Sequence, residues 1–199
     1  MKEIMPLQGE DLLLKFQGLI GYSRGGELTI VTPFISDFEI RGKTISSHMM
    51  VLARSITKIS LMVAPPMVPH KDKFHSGKDY LHCDRCKSTA KKIALLDIYE
   101  KFSKEILIKE NLHAKMYIAK NYKGNHICLA GSANLTLGGF QEYCELCFYI
   151  SDKLIIRKLF QFYNIWKSGS HGPRAELYRI WKAEYLKEYP HIQEILEMR

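Results

Sequence analysis

The sequence predicts an α/β protein in which a mixed β-sheet carries helices on both faces. Three observations lead to this prediction. Strand-like apolar runs alternate with amphipathic helical segments, one helix separates the first two strong strands, and only a short polar loop separates two later strands. A strand, helix, strand order is typical of parallel or mixed sheets, because the helix crosses one face before the next strand joins. A short loop instead makes its two strands antiparallel neighbours.

The first half of the chain contains the predicted crossover. Residues 10–20 place apolar side chains at helical spacing and should cover one sheet face. Residues 27–35 form a β-branched run that contains Pro33 and is typical of a central strand. A helix over 46–55 and a second buried strand over 58–64 follow. These elements predict the parallel part of the sheet.

A long polar connection, residues 65–87, interrupts this order. Histidines and cysteines concentrate in it: His70, His75, His82, Cys83 and Cys86. The Cys83 to Cys86 spacing is that of half a zinc site, and His75 or His82 could supply further ligands. The alternative is a pair of surface thiols in a loop. Such a long connection in a compact domain is usually functional or mobile.

A second C-x-x-C pair, Cys144 and Cys147, does not complete such a site. It overlaps a strand predicted over residues 145–150, where a three-residue spacing points the two sulfurs to opposite faces. With no second usable pair, we predict no bound metal and no cofactor. The five cysteines are expected to be thiols, since a cytoplasmic chain has little reason to form disulfides.

The second half of the chain supplies the remaining elements. The patterns predict a helix from Ser88 to residue 102, strands over 105–109 and 113–120, a strand from His126, and a helix started by Ser151 and Asp152. Residues 168–173 form a linker, after which Trp181, Tyr185 and Tyr189 give a helix an aromatic face. We therefore predict a domain of residues 1–167, with 65–87 as an inserted loop. A helical extension, residues 173–199, should pack on it.

Chemistry-bearing residues concentrate between residues 113 and 145. In a strand, His113, Lys115 and Tyr117 would share one face. After the next strand, residues 131–134 (Gly-Ser-Ala-Asn) form a small polar loop in which backbone amides and the side chain of Asn134 can approach an anion. An imidazole, an ammonium group and an amide-rich loop together predict a phosphate site.

This pattern resembles the phospholipase D superfamily, whose signature is H-x-K followed by G-S-x-N or G-S-x-x-N. The matching residues are His113, Lys115, Gly131, Ser132 and Asn134, with Glu145 where the family commonly carries a downstream acid. The Thr-Pro-Phe-Ile-Ser segment, residues 32–36, also looks like the end of the family's first strand, near the active face. Lys120 replaces the Asp expected five residues after the lysine, which favours the nuclease branch over lipid-hydrolysing members.

The resemblance implies a mechanism and a set of roles. His113 would be the nucleophile that forms a covalent phosphohistidine, and Lys115, Asn134 and the amides near Ser132 would stabilise the charge on phosphorus oxygens. Glu145 would orient His113. Because these groups supply the positive charge, no metal is required. The chain has one H-x-K motif, so a homodimer would bring a second His113 to protonate the leaving oxygen.

Composition narrows the choice of function. A net charge of +8 favours a polyanionic partner, and no apolar run is long enough to span a bilayer. The start of the chain lacks the pattern of a signal peptide, so we expect a cytoplasmic protein without a membrane partner. The predicted function is a metal-independent nuclease, with DNA favoured over RNA. A phospholipid hydrolase or phosphatidyltransferase and a non-catalytic nucleic-acid-binding relative are the alternatives.

Overall fold

The computed structural model describes residues 4–40, 42–71, 75–142, 145–169 and 175–198. Its main sheet contains strands β1 (Ile4–Leu7), β2 (Glu27–Val31), β5 (Lys58–Val63), β6 (Glu105–Ile108), β7 (Met116–Lys120), β8 (His126–Gly131), β9 (Cys147–Ile150) and β10 (Glu176–Leu177). A small hairpin pairs β3 (Glu39–Ile40) with β4 (Lys43–Thr44). The helices are α1 (Gly9–Tyr22), α2 (Ile45–Ala53), α3 (Asp84–Glu100), α4 (Lys153–Ser168), α5 (Tyr178–Glu188) and α6 (Pro190–Glu197).

The main sheet is mixed, as predicted. Its eight strands run in the order β1-β9-β8-β7-β2-β5-β6-β10. Strands β2, β5 and β6 are parallel neighbours, and the chain between them passes through α2 and α3. Strands β7, β8 and β9 are antiparallel to their neighbours, and β7 also lies antiparallel to β2. The short loop between β7 and β8 makes the predicted hairpin.

Helices cover both faces of this sheet, which confirms the predicted α/β class. Strand β7 shows the division, since alternate residues enter different cores. Tyr117 and Ala119 lie in the core that contains α1 side chains, whereas Met116 and Ile118 lie in the core that contains α4 side chains. Tyr117 therefore belongs to the fold and is fully buried rather than lining an open surface.

Three element starts differ by more than one residue from the sequence prediction. Helix α3 begins at Asp84 with Cys83 as N-cap, so Ser88 lies inside the helix and does not cap it. Strand β7 begins at Met116 and β9 at Cys147. The motif residues predicted on strands therefore lie in the connections just before them. The prediction at Asp152 is confirmed, because its carboxylate accepts hydrogen bonds from two amides at the start of α4.

The C-terminal segment is tied to both the sheet and a helix. Strand β10 pairs with β6 at the edge of the sheet. Helices α3 and α6 share a small third core with Tyr80. Most of the predicted linker, residues 170–173, lies outside the described residues, and the boundary between residues 1–167 and 173–199 remains a prediction. Within the described ranges, no helix is long and apolar enough to cross a membrane.

Candidate functional site

The motif residues meet at one edge of the sheet because of strand direction. Met116, the first residue of β7, pairs with Val31 at the end of β2 and with Ala130 near the end of β8. Gly131 in turn pairs with Cys147, the first residue of β9. The starts of β7 and β9 and the ends of β2 and β8 therefore lie together. We call this border of the sheet, which is formed by strand ends and not by an outer strand, the motif edge.

The Gly-Ser-Ala-Asn loop requires glycine where it leaves β8. A Cβ atom on Gly131 would lie 2.2 Å from the carbonyl oxygen of Leu146 and 2.6 Å from the Cα of Cys147. Farther along, a Cβ atom on Gly139 would lie 2.4 Å from the carbonyl oxygen of Asn134. Real Cβ atoms do not approach backbone this closely, so both glycines are needed for packing. They hold the loop backbone against its neighbours.

Asn134 is fixed from the other side by the segment that follows β2. The buried hydroxyl of Thr32 lies 3.4 Å from the Asn134 side-chain oxygen and accepts a 3.2 Å hydrogen bond from the Leu135 amide. Ile35 and Leu135 form a parallel bridge, and the Ser36 amide donates to the Leu135 carbonyl at 2.9 Å. The predicted approach of residues 32–36 to the motif edge is observed, and Asn134 keeps its side chain partly exposed.

Ser132 links the loop to the residue that follows Glu145. Its amide and hydroxyl both donate to the carbonyl oxygen of Leu146, at 3.0 and 3.3 Å, and its hydroxyl accepts from the Leu146 amide at 2.9 Å. Glu145, partly buried, is therefore held next to the loop by its neighbour. The Ser132 hydroxyl is engaged with this backbone, which favours a structural role for it.

His113 and Lys115 lie in the connection that leads into β7. Asn111 takes a left-handed conformation with φ of 55°, which Asn tolerates well, and Leu112 is buried in the core below α4. These two residues turn the chain and anchor it, so that His113 points away from the core and is exposed. Lys115 is partly exposed, and its carbonyl oxygen accepts a hydrogen bond from the Gly131 amide at 3.2 Å. No side-chain hydrogen bond or ion pair engages His113 or Lys115 within the described residues.

Lys92 is a further cation near this edge that the sequence did not single out. Its ammonium group donates to the carbonyl oxygens of Pro33 at 3.0 Å and Pro65 at 3.4 Å, and lies 5.5 Å from the centre of the exposed Phe34 ring. Burial lowers the pKa of Lys92 from 10.5 to about 8. Its position at helical spacing on α3 looks like that of any surface lysine, and only the fold brings the two carbonyls to it.

Lys120 and His126 lie at the opposite edge of the sheet. Lys120 ends β7 and His126 begins β8, and the two are paired in register. Lys120 forms an ion pair with Glu27 at 2.7 Å, and its hydrogen bond to that carboxylate holds the pKa of Glu27 below its ordinary value. The missing family Asp is therefore a substitution at a position that does not touch the motif edge. His126 is a strand-end residue, as predicted.

A second cluster of chemistry-bearing side chains forms in the long connection. The ligand atoms of His70, His75 and Cys83 all lie within 4.8 Å of one another. The Cys83 sulfur is 3.5 Å from Nδ1 of His70, and the Cys86 sulfur is 3.6 Å from Nε2 of His75. Of the two histidines considered from sequence, His75 belongs to this cluster and His82 does not. Sequence spacing did not select His70, which the fold brings into this group. We call these four residues the His/Cys cluster.

The start of α3 favours thiolate at Cys83. Burial raises the pKa of this thiol, but the backbone amides of Cys86 and Arg85 and the side chain of Cys86 donate toward it, and the net pKa lies below its ordinary value. The other C-x-x-C pair differs. Cys144 lies outside the described residues, and burial raises the pKa of the Cys147 thiol.

Fold and motif edge together define a phospholipase D-like α/β protein. Residues 22–166 match the family model described as "Cardiolipin synthase, PLD-like domain". The chain belongs to this family, and hence to the phospholipase D superfamily. A search of curated proteins by sequence found no significant match.

Solved structures agree on the fold. NucT from Helicobacter pylori is 17% identical with a TM-score of 0.51, over 82% of this chain and 93% of NucT. Nuc from Salmonella typhimurium, a phospholipase D family member, is 12% identical with a TM-score of 0.50, over 89% of this chain and 99% of Nuc. Phosphatidylserine synthase from Haemophilus influenzae Rd KW20 is 14% identical with a TM-score of 0.66, over 100% of this chain but only 44% of the synthase. At these identities the likeness shows the fold alone.

Proposed function

We propose that this protein is a metal-independent phosphodiesterase that cleaves nucleic acid, DNA more readily than RNA, through a covalent phosphohistidine. One observation carries the proposal: strand direction brings the connections bearing His113, Lys115 and Asn134 to one sheet edge, where each side chain is at least partly exposed. A phosphodiester resists attack because its anionic oxygens repel nucleophiles and its alkoxide is a poor leaving group. A catalyst must therefore supply positive charge and a proton at the same place.

In the first step, the neutral imidazole of His113 attacks phosphorus, and a nitrogen–phosphorus bond replaces the bond to the leaving oxygen. Lys115 and Asn134, together with loop amides near Ser132, stabilise the charge on the non-bridging oxygens in the five-coordinate state. We assign to Glu145 the role of accepting a hydrogen bond from the other ring nitrogen of His113 once substrate is bound, because no described side chain orients His113 in the structure itself. In the second step, water displaces the histidine and releases a phosphomonoester.

The departing oxygen needs a proton, and a second His113 across a two-fold axis is the group proposed to give it. His113 is exposed at the motif edge, so a symmetry mate can reach the same phosphate without displacing core residues. The phosphatidylserine synthase comparison is compatible with this arrangement, since the whole chain corresponds to 44% of that protein. A longer family member can contain in one chain what two copies of a short one supply.

Charge and shape support nucleic acid as the substrate. The chain carries a net charge of +8, which favours a polyanion. A cavity of about 550 Å³ beside the motif edge is lined by Phe34, Ser36, Lys91 and Lys92, among other residues. An exposed aromatic ring next to lysines is a combination that binds a base by stacking and its phosphate by charge.

Phospholipid is the second candidate, favoured by a different feature. Four large apolar side chains are exposed in connections at or near the motif edge: Phe34, Met67, Val68 and Leu146. Such side chains could enter a lipid surface. The deciding assay incubates the protein with single-stranded DNA, double-stranded DNA, RNA and phosphatidylcholine vesicles in excess chelator. Nucleic-acid cleavage that is lost in His113→Ala supports the proposal, lipid turnover alone supports the second candidate, and binding without turnover contradicts both.

A mixing experiment tests the shared site. Wild-type chains are unfolded, refolded with increasing fractions of His113→Ala chains, and assayed at constant total protein. If both His113 side chains serve one phosphate, activity falls with the square of the wild-type fraction. A linear fall means that each chain is catalytically complete, and the dimeric mechanism is then wrong even if the nuclease activity is real. Mass determination of the refolded sample gives its oligomeric state.

A further inference from the structure

We propose that the His/Cys cluster is a structural zinc site in which His70, His75, Cys83 and Cys86 bind one ion. The carrying observation is a match of distances. A tetrahedral zinc ion with Zn–S bonds of about 2.3 Å and Zn–N bonds of about 2.0–2.1 Å separates each sulfur from each nitrogen by about 3.6 Å. Two sulfur–nitrogen distances in the structure match this value, 3.5 Å from Cys83 to His70 and 3.6 Å from Cys86 to His75. The ligand atoms of His70, His75 and Cys83 all lie within 4.8 Å of one another, and Cys86, which lies outside that group, is the proposed fourth ligand.

The chemistry of the four side chains selects the metal. Two thiolates and two imidazoles are the ligand set of closed, four-coordinate structural zinc. Magnesium and calcium prefer oxygen ligands and would not be bound by this set. Cys83 precedes α3 and Cys86 lies in its first turn, a backbone arrangement that brings both sulfurs to the end of the helix. The positive end of the helix dipole favours their thiolate forms.

A zinc ion would stabilise a part of the chain that has little regular secondary structure. Between β5 and α3, the only helix or strand in the described residues is a short 3-10 turn, Asp79–Leu81, so few backbone hydrogen bonds hold the connection. The third core beneath it is small and contains Tyr80 and side chains of α3 and α6. The His75 ring lies 6.0 Å from the ring of His191 on α6. A metal at the cluster would therefore join the connection, α3 and the C-terminal helix pair.

The same connection borders the motif edge. At its start, the carbonyl oxygen of Met67 accepts hydrogen bonds from Thr89 at 2.9 Å and Tyr185 at 3.3 Å, and that of Pro65 accepts from Lys92. The proposed metal would fix the other end. Both ends of the segment would then be anchored to α3, and the wall of the cavity beside Phe34 would be held in place.

The test measures metal in the full-length protein, independently of activity. Purified wild type should contain about one zinc per chain, and Cys83→Ser and His70→Ala should each contain less than about a fifth of that. Two matched controls should retain the full content: His82→Ala, an exposed histidine one residue from Cys83 and outside the cluster, and Cys128→Ala, a buried cysteine in another core. Loss of zinc in either control would overturn the proposal, as would zinc retained in both ligand variants.

Two further measurements use only the wild-type protein, so they do not depend on whether a variant folds. After zinc is stripped, Co²⁺ added to wild type should give the visible absorption of a tetrahedral site with a thiolate charge-transfer band. Iodoacetamide should modify Cys83 much faster in the stripped protein than in the zinc-loaded protein. Absence of zinc from the purified protein, together with absence of any cobalt spectrum after reconstitution, would overturn the proposal.

Discussion

The motif edge and the His/Cys cluster place histidines in opposite physical situations. At the motif edge, His113 is exposed, and no side-chain partner of it or of Lys115 exists among the described residues. At the cluster, His70 and His75 each contact a cysteine sulfur at 3.5–3.6 Å. The first arrangement is what a site for a substrate requires, because the ligand must enter and leave. The second suits a ligand that stays, because the ligand atoms of His70, His75 and Cys83 already lie within 4.8 Å of one another.

Helix α3 connects these two regions. Its first turn contains Cys86, and Lys92, two turns later, donates to backbone carbonyls beside the motif edge. Damage to the cluster should therefore weaken the structure and affect turnover only indirectly. Loss of a motif side chain should instead reduce turnover directly and change the stability of the protein little. The predictions below separate these outcomes, beginning with the largest effect.

The sharpest contrast is between two histidine substitutions. His113→Ala should reduce turnover by about 10⁴-fold, because the nucleophile is lost, and should leave the melting temperature unchanged, because the side chain is exposed. His75→Ala should lower the melting temperature by several degrees while the remaining folded protein keeps most of its turnover number. Turnover and thermal unfolding are measured on both variants. Equal loss of turnover in both would remove the distinction between the regions.

Asn134→Ala should reduce turnover by about 10²–10³-fold, since one donor to the phosphate oxygens is lost. The loss should fall on kcat more than on KM, because the donor acts mainly as charge develops. Asn134→Asp is the matched comparison, and it should be worse because a carboxylate repels the phosphate. Steady-state kinetics on a short DNA substrate gives both constants. A change confined to KM would assign Asn134 to ground-state binding.

Gly139→Ala tests the packing behind the loop rather than its chemistry. The added Cβ atom would lie 2.4 Å from the carbonyl oxygen of Asn134, so backbone must shift. We expect a loss of about 1–3 kcal/mol in the free energy of unfolding, with reduced turnover in the folded fraction. Gly18→Ala is the control, because nothing lies within 4 Å of a Cβ atom there. Denaturant unfolding of both variants measures the difference.

Lys92→Met should stabilise the protein by about 1–2 kcal/mol at neutral pH. Removing the buried charge stabilises the folded state, and this gain exceeds the cost of leaving two carbonyl oxygens without their donor. The pKa of Lys92 is about 8 in the folded protein against an ordinary value of 10.5. Below pH 8, Lys92 is protonated in both the folded and the unfolded protein, so the full cost of burying its charge is present. Between pH 8 and pH 10.5 the unfolded chain binds more protons than the folded chain. The stability of the wild type therefore rises with pH over this range, and the advantage of methionine shrinks. Unfolding measured from pH 7 to 10.5 tests this trend; a constant difference would contradict it.

Lys120→Ala should have the smallest effect. The Lys120–Glu27 ion pair is largely exposed, so its removal should lower the free energy of unfolding by at most about 1 kcal/mol. Turnover should not change, since the residue lies at the far edge of the sheet from His113. Denaturant unfolding and the nuclease assay check both statements. A large loss of turnover would mean that the position of the missing family Asp acts on the site through the strand.

Sequence alone was sufficient for the fold class, most elements and the motif residues. Periodicity is a local property, and the H-x-K and G-S-x-N motifs mark His113, Lys115 and Asn134 as candidate site residues, whose roles stay predictions. The boundaries were less accurate. The extended backbone of residues 113–115 resembles a strand, and Ser88 resembles a helix cap, although tertiary contacts start these elements elsewhere.

Only the tertiary structure decided which distant groups meet. Sequence spacing selected the Cys83 and Cys86 pair, but it could not choose between His75 and His82 or include His70, because those distances depend on how the connection folds over α3 and α6. Lys92 became unusual only when Pro33 and Pro65 closed around it. Local patterns fix what each residue can do, whereas long-range packing fixes which partner it finds.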